Sequence, residues 1–274
     1  MNNHNIDIGA TDELSLRVSA GVLVKVLFEN PQNRQSMLAF ERTATLREIG
    51  GKPEVIVKTK PFGGGIRIIN PQALKEHIGN FHYDSERSRQ ERDFRIFVHP
   101  ESWEKIKEFC IDMKEMREGV LVTSPDRELF EEFNDCLKIK ITPEQYNLKY
   151  RGIAIEDFPS ETDNIHAQGL PTVRIYYIFE AGIESSEIIN LMLDSSRQNS
   201  DKDLQLIALE EAKHGGKGRA NAVFTINTYD LKEFYLSIPN NKLNGLIPFK
   251  EHQLDGNVLA VLDEIKHPKY KRCI

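Results

Sequence analysis

Glu128, Glu131 and Glu132 stand at i, i+3 and i+4 in the run Ser124-Pro125-Asp126-Arg127-Glu128-Leu129-Phe130-Glu131-Glu132-Phe133, a spacing that puts three carboxylates on one side of a helix. Like charges so placed repel by roughly 0.2–0.5 kcal/mol per pair. A divalent cation turns that repulsion into attraction, because carboxylate oxygens are the preferred ligands of hard ions such as Mg²⁺ and Mn²⁺. The competing reading is a solvated acidic helix face, the commoner fate of a charge run. The helix itself is well signalled: Ser124 suits an N-cap, Pro125 the first helical position, and Asp126 the positive end of the helix dipole. Leu129, Phe133, Cys136 and Leu137 recur at helical spacing as an opposing apolar stripe.

Upstream elements decide between the two readings. Two apolar runs, Val18-Ser19-Ala20-Gly21-Val22-Leu23-Val24 and Met37-Leu38-Ala39-Phe40-Glu41-Arg42, precede Lys60-Pro61-Phe62-Gly63-Gly64-Gly65-Ile66-Arg67. This order resembles the Nudix hydrolase family, in which two strands, the second ending near a basic residue, and a proline-flanked glycine pair lead to a helix carrying Arg-Glu-U-x-Glu-Glu-x-Gly-U, U being aliphatic. Arg127, Glu128, Leu129, Glu131 and Glu132 match the first part of that pattern residue by residue. The resemblance implies an α/β fold, a Nudix-like α/β/α sandwich with a mixed sheet. It implies Mg²⁺- or Mn²⁺-dependent hydrolysis of a phosphoanhydride in a nucleoside diphosphate linked to another moiety. Glu128, Glu131 and Glu132 would then hold the metal, with Arg127 an ion-pair partner orienting a glutamate. Arg42, Phe62, Gly63, Gly64 and Gly65 would lie on the substrate, and the general base would be a helix glutamate or a later one, with Glu210 and Glu211 as candidates.

The departures from the family pattern define two rival readings. The family pattern places its glycine a few residues before a first glutamate and that glutamate a short way before the arginine, whereas a long segment separates Gly65 from Arg127. Gly119 stands where the first family glutamate falls, with Glu118 one step away, and Asn134 and Asp135 replace the late glycine and aliphatic residue. A Nudix-fold sensor that binds a nucleotide without cleaving it, and an interaction scaffold, therefore stay open beside the enzyme.

Composition bounds the remaining choices. The chain has 274 residues with 39% hydrophobic residues, enough to bury a sizeable core. A net charge of −6 and a pI near 5.8 argue against general nucleic-acid binding; the resemblance implies a nucleotide-type small molecule as partner, with a homodimer left open. Cys110, Cys136 and Cys273 lack paired ligand spacing, which disfavours zinc or a disulfide framework and fits a reducing cytoplasm. The polar start lacks the apolar core of a signal peptide, and no apolar run approaches the roughly 18 residues of a membrane span.

Residues 1–13 read as a polar tail, 14–236 as the Nudix-like domain with an insertion at about 70–118, and 237–274 as a C-terminal extension packed on the core. Strands are predicted near Leu16 to Phe28, Ser36 to Glu41, Glu54 to Lys58, Ile66 to Ile69, Phe94 to Val98, Thr172 to Ala181 and Phe224 to Ile226. Helices are predicted over Pro71 to Ile78, Pro100 to Met116, Asp230 to Tyr235 and Gly256 to Ile265, while 188–193 and 204–212 leave helix and strand unseparated. Asn80 to Asp93, charge-dense and poor in aliphatic residues, is expected to be mobile. Its arginines read as a solvated strip, with a phosphate clamp as the alternative.

Other motifs add little. Gly63 to Gly65 lacks the Gly-Lys-Ser/Thr ending of a P-loop, and Gly215-Gly216-Lys217-Gly218-Arg219 reads as a surface loop with an anion cradle as the alternative. The histidines show no His-Glu-x-x-His motif, and no Gly-x-Ser-x-Gly elbow occurs.

Overall fold

A computed structural model describes residues 14–113, 117–160, 169–239, 246–262 and 269–273; the predicted polar tail lies outside them. The chain is an α/β protein built on a mixed sheet of twelve strands. Its centre is β1 (Leu16–Glu29), which runs parallel to β10 (Thr172–Ile183) over eleven residue pairs. Nearly every β1 residue is buried, as in a strand covered on both faces. Along its other edge β1 is met in turn by β2 (Ser36–Ile49), β4 (Phe62–Gly65) and β7 (Arg95–Val98), all antiparallel. β3 (Lys52–Lys60) and β11 (Arg219–Asn227) pair with β2, and β9 (Tyr146–Ser160) pairs with β10. The C-terminal segment joins the same sheet through β12 (Ile247–Phe249) and β13 (His252–Leu254) beside β3, and through β14 (Lys271–Cys273) beside β9.

Strand alternation divides the core into two layers. Val18, Ala20 and Val22 face one way and pack with α1 (Pro71–Ile78) and α3 (Ser102–Ile111). Val24, Val26 and Phe28 continue that face against α4 (Asp126–Leu137) and α5 (Ser186–Gln198). The opposite face, with Leu23, Leu38 and Phe40, is covered by α7 (Thr228–Ser237) and the 3-10 turn Gly256–Val261, and its Ala44, Val57 and Ala222 by α6 (Asp201–Lys213). The two segments whose periodicity was ambiguous are thus both helices. No helix of the described residues is long and apolar enough to cross a membrane.

The insertion is part of the sheet. It leaves through β5 (Arg67–Ile68) and returns through β8 (Leu121–Val122), which pair with each other. Between them β6 (Phe81–Tyr83) extends β7, and β7 lies directly on β1.

The expected mobility of residues 80–93 is overturned. The segment holds β6 and α2 (Glu86–Glu91), whose Ser85 cap accepts from Ser88 N. Burial of Phe81 and an enclosed ion pair order it: Arg17 Nε and Nη2 donate to Asp84 Oδ2 at 2.9 and 2.8 Å, and Ser88 Oγ donates to Asp84 Oδ1 at 2.6 Å. The stabilising partner comes from β1, so local composition underestimated the order. Arg87 and Arg89 do pair on the surface with Glu91 and Glu86, as a solvated strip requires. Asp84→Asn, which leaves the buried Arg17 without its counter-charge, is expected to lower the unfolding free energy by about 2 kcal/mol. Chemical denaturation showing a loss under ~0.5 kcal/mol would remove this pair as the organiser of the segment.

A second correction concerns Gly256 to Ile265. The described part is a 3-10 turn ending at Val261, because Val258 to Leu262 are all buried, leaving no polar face for an amphipathic α-helix. The glutamate helix also starts one residue late: Pro125 flanks it, and Ser124 Oγ accepts from Asp126 N at 3.3 Å.

Candidate active site

Helix α4 lays its Leu129 and Phe133 stripe on the sheet, and this directs its glutamates at β4. The glycine strand and the glutamate helix, distant in sequence, are in contact. Gly63 N donates to Glu132 Oε2 at 2.5 Å, and Arg127 Nη2 donates to Gly65 O at 3.1 Å. A Cβ on Gly64 would collide with Oε2 of Glu128, so only glycine leaves that carboxylate its place. Gly63 has φ +144°, a conformation that side-chain-bearing residues rarely adopt.

The three glutamates part company. Glu128 is buried against Gly64 and in ionic contact with Arg127, yet its Oε1 accepts no aligned hydrogen bond. Glu131, 60% exposed, lies 3.7 Å from the other end of the same guanidinium. Glu132 turns inward, where Lys60 Nζ is 3.3 Å from its Oε1 and 2.7 Å from Glu41 Oε2. Glu41 is fully enclosed and also accepts from Thr43 Oγ1 at 2.6 Å and Arg219 Nη2 at 3.0 Å. Among the described residues no group of three or more His, Cys, Asp or Glu side chains is arranged to hold a metal ion.

Electrostatics sharpen the division. Burial raises Glu128, and although Arg127 pulls it down, Glu131 and Asp93 push it further up. Asp93 is likewise raised by burial, against the pull of Arg95. Burial pushes Glu41 up too, but the Lys60 ammonium and hydrogen bonds outweigh it and hold Glu41 at about 2. Burial drives Glu132 well above the usual carboxylate range, with Glu41 adding to it against Lys60. The Glu41–Glu132 pair therefore retains a proton where two isolated carboxyls would have lost both.

A cleft of about 220 Å³ opens beside this turn, lined by Val22, Gly65, Arg67, Val122, Ser124, Arg127 and Glu128 among others. Small-molecule pockets usually span about 300–1,000 Å³, so the cleft is small for a whole nucleotide. Gly64→Ala is expected to displace the Glu128 carboxylate, the movable end of a side chain, while the protein still folds, and on the function proposed below to cut turnover by at least ~10-fold. Unchanged kcat/KM beside an unchanged melting temperature would detach Gly64 from the site.

Two residues expected on the substrate lie elsewhere. Arg42 projects from the opposite face of β2 to Glu41, bonded to Asn199 O at 2.5 Å, 3.5 Å from Asp201 and over the Phe224 ring at 4.7 Å. Phe62 is fully buried and stacks on Phe133 with ring centroids 5.0 Å apart, closed to a base. Glu210 pairs with Lys213, and Glu211 accepts from Arg219 N, on the helix that covers the other face. Conversely, Glu41, Lys60 and Asp93 reach the site without having been singled out. Period-two alternation along Phe40-Glu41-Arg42 could have shown that Glu41 and Arg42 face opposite layers; nothing local marks Asp93.

Comparison of the chain with family models, with curated proteins and with solved structures returns no match. The class that the fold and site define is therefore stated by chemistry: an α/β protein whose acidic helix closes on a glycine strand beside a small cleft.

Proposed function

We propose that this chain is a Nudix-type pyrophosphohydrolase with a Nudix-like α/β/α core, cleaving a phosphoanhydride in a nucleoside diphosphate linked to another moiety with Mg²⁺ or Mn²⁺. The observation that carries the reading is the contact of Gly63, Gly64 and Gly65 with Glu132, Glu128 and Arg127 across the whole insertion. The residues present fit a divalent ion in part of the expected ligand set. Glu128 places Oε2 where a Cβ on Gly64 would stand and Oε1 against Arg127, and Glu131 stands beside it on the same arginine. Two carboxylates plus substrate phosphates are an ordinary Mg²⁺ environment. Glu132 is withdrawn from that set by Lys60 and Gly63. When bound, the ion neutralises charge on the phosphates and lowers the pKa of its water. Arg127 orients Glu128, while Glu132 fixes the glycine strand through Gly63 N.

Nucleotide sugars, dinucleotides, ADP-ribose and nucleoside triphosphates incubated with Mg²⁺ or Mn²⁺ test the reading; one of them should release phosphate-containing products in a metal-dependent manner. The engagement of Glu132 by Lys60 favours a second reading, a nucleotide sensor without turnover. Saturable nucleotide binding with no product in any of these assays would replace the first reading by the second.

A further inference from the structure

The glycine-rich basic loop Gly215-Gly216-Lys217-Gly218-Arg219 leads from α6 into β11, and a carboxylate of the chain itself, that of Glu211 near the end of α6, already occupies it. Arg219 N donates to Glu211 Oε2 at 2.5 Å. The Lys217 and Gly218 amides bond to the same carboxylate and, with Arg219 N foremost, hold it below its ordinary value. Successive backbone N–H groups so gathered make an anion nest. The loop is also tied to β2, where Leu46 N donates to Gly218 O at 2.8 Å. The backbone of Arg219 is thus fixed from the layer that α6 covers, while its side chain lies against Glu41 in the opposite layer.

There Arg219 Nη2 donates to Glu41 Oε1 and Nε donates to Asn221 Oδ1, each at 3.0 Å. Glu41 is fully enclosed, and its other oxygen, Oε2, stands 2.7 Å from Lys60 Nζ. The same ammonium donates to Glu132 Oε1 at 3.3 Å, and Glu132 Oε2 accepts from Gly63 N. A continuous line of hydrogen bonds and ion pairs therefore runs from the exposed loop to the glycine strand. Lys60 is shared unequally along it, lying nearer to Glu41 than to Glu132. A second cation on Glu41 offsets part of its charge and leaves the ammonium able to serve Glu132 as well. Thr43 Oγ1, which also donates to Glu41, carries no charge, so Arg219 is that second cation.

We propose that Arg219 is a positioning residue: through Glu41 and Lys60 it keeps Glu132 on Gly63 N, and the loop 215–219, closed on Glu211, is the clasp that holds Arg219 in place. Without the guanidinium, Lys60 is drawn to the enclosed Glu41, Glu132 loses its cation, and the Gly63 amide loses a fixed acceptor. Arg219 does not line the cleft, so it acts only through these partners. The line of contacts exists without any reaction. Its bearing on turnover rests on the hydrolase reading, in which Glu132 fixes the glycine strand beside Glu128.

Amide hydrogen exchange of the full chain, read by NMR at Gly63 and along β10, tests it. Arg219→Met should speed exchange at Gly63 at least ~5-fold, the scale of one weakened hydrogen bond, with the β10 amides unchanged. Acceleration of Gly63 and β10 alike, the mark of a general loss of stability, would overturn the assignment. So would Gly63 exchange within ~2-fold of wild type. Glu211→Ala, which opens the clasp and keeps the guanidinium, should move Gly63 in the same direction and serves if Arg219→Met fails to fold; an unchanged Gly63 there would overturn the clasp. On the hydrolase reading Arg219→Met also lowers kcat at least ~5-fold with KM kept, and a raised KM beside an unchanged kcat would overturn the positioning role by placing Arg219 on the substrate. A wild-type chain without turnover removes that reading alone, because the exchange comparison needs no substrate.

Discussion

Glu128→Gln is expected to lower metal-dependent turnover by at least ~10²-fold, the scale of losing a principal electrostatic contributor, with the melting temperature unchanged or raised. The two parts have one cause. In the folded chain, burial already disfavours the charged form of Glu128, so a neutral amide of the same shape removes a desolvation cost while deleting the oxygen offered to a cation. Glu132→Gln should differ. Glu132 is held well above the usual carboxylate range and bonded to Gly63, so an amide there replaces a group that favours its neutral state and leaves Glu128 in the cleft. The expected order of damage to turnover is thus Glu128 first and Glu132 well behind. Steady-state kinetics beside thermal melts read both quantities, and wild-type turnover in Glu128→Gln would remove the glycine-strand cleft from the mechanism.

Lys60→Met is expected to cost about 3–5 kcal/mol of stability at pH 8, as breaking a buried charge cluster by deleting one partner does. It leaves the enclosed Glu41 with Arg219, a 44% exposed side chain, as its remaining cation. The pH dependence has a definite sign. In the wild type Glu41 is depressed to about 2, so its contribution is present above its unfolded pKa of about 4.3 and is lost as pH falls towards 2. Without the Lys60 ammonium, burial dominates and the folded pKa of Glu41 moves above the unfolded value, so protonation on acidification stabilises the variant. The deficit should therefore shrink between pH 8 and pH 5. Denaturant unfolding at the two pH values measures it, and a deficit below ~1 kcal/mol at pH 8, or one that grows towards acid, would show that Lys60 does not neutralise this cluster.

What the chain declares locally is what depends on near neighbours in sequence. The 3.6-residue recurrence of Leu129 and Phe133 with the glutamates between them, headed by Ser124 and Pro125, sets α4 to within a residue. β-branched and aromatic runs mark β1 and β10, and the glycine run marks a backbone only glycine accepts at Gly63. Tertiary structure alone decided which way each carboxylate of α4 points: Glu128 to Gly64, Glu131 to solvent, and Glu132 to a lysine on another strand. It also sent Glu41 and Arg42 to opposite layers, enclosed Phe62, and brought Asp93 from a charge-dense segment to the back of Gly65. The order of residues 80–93 likewise rests on Arg17, far away in the chain. The physical reason is common to these cases. Periodicity specifies which residues share a face, whereas the partner of that face is set by strand register and by pairing across the insertion, where the cost of closing a long loop grows only slowly with its length and leaves no local trace in composition.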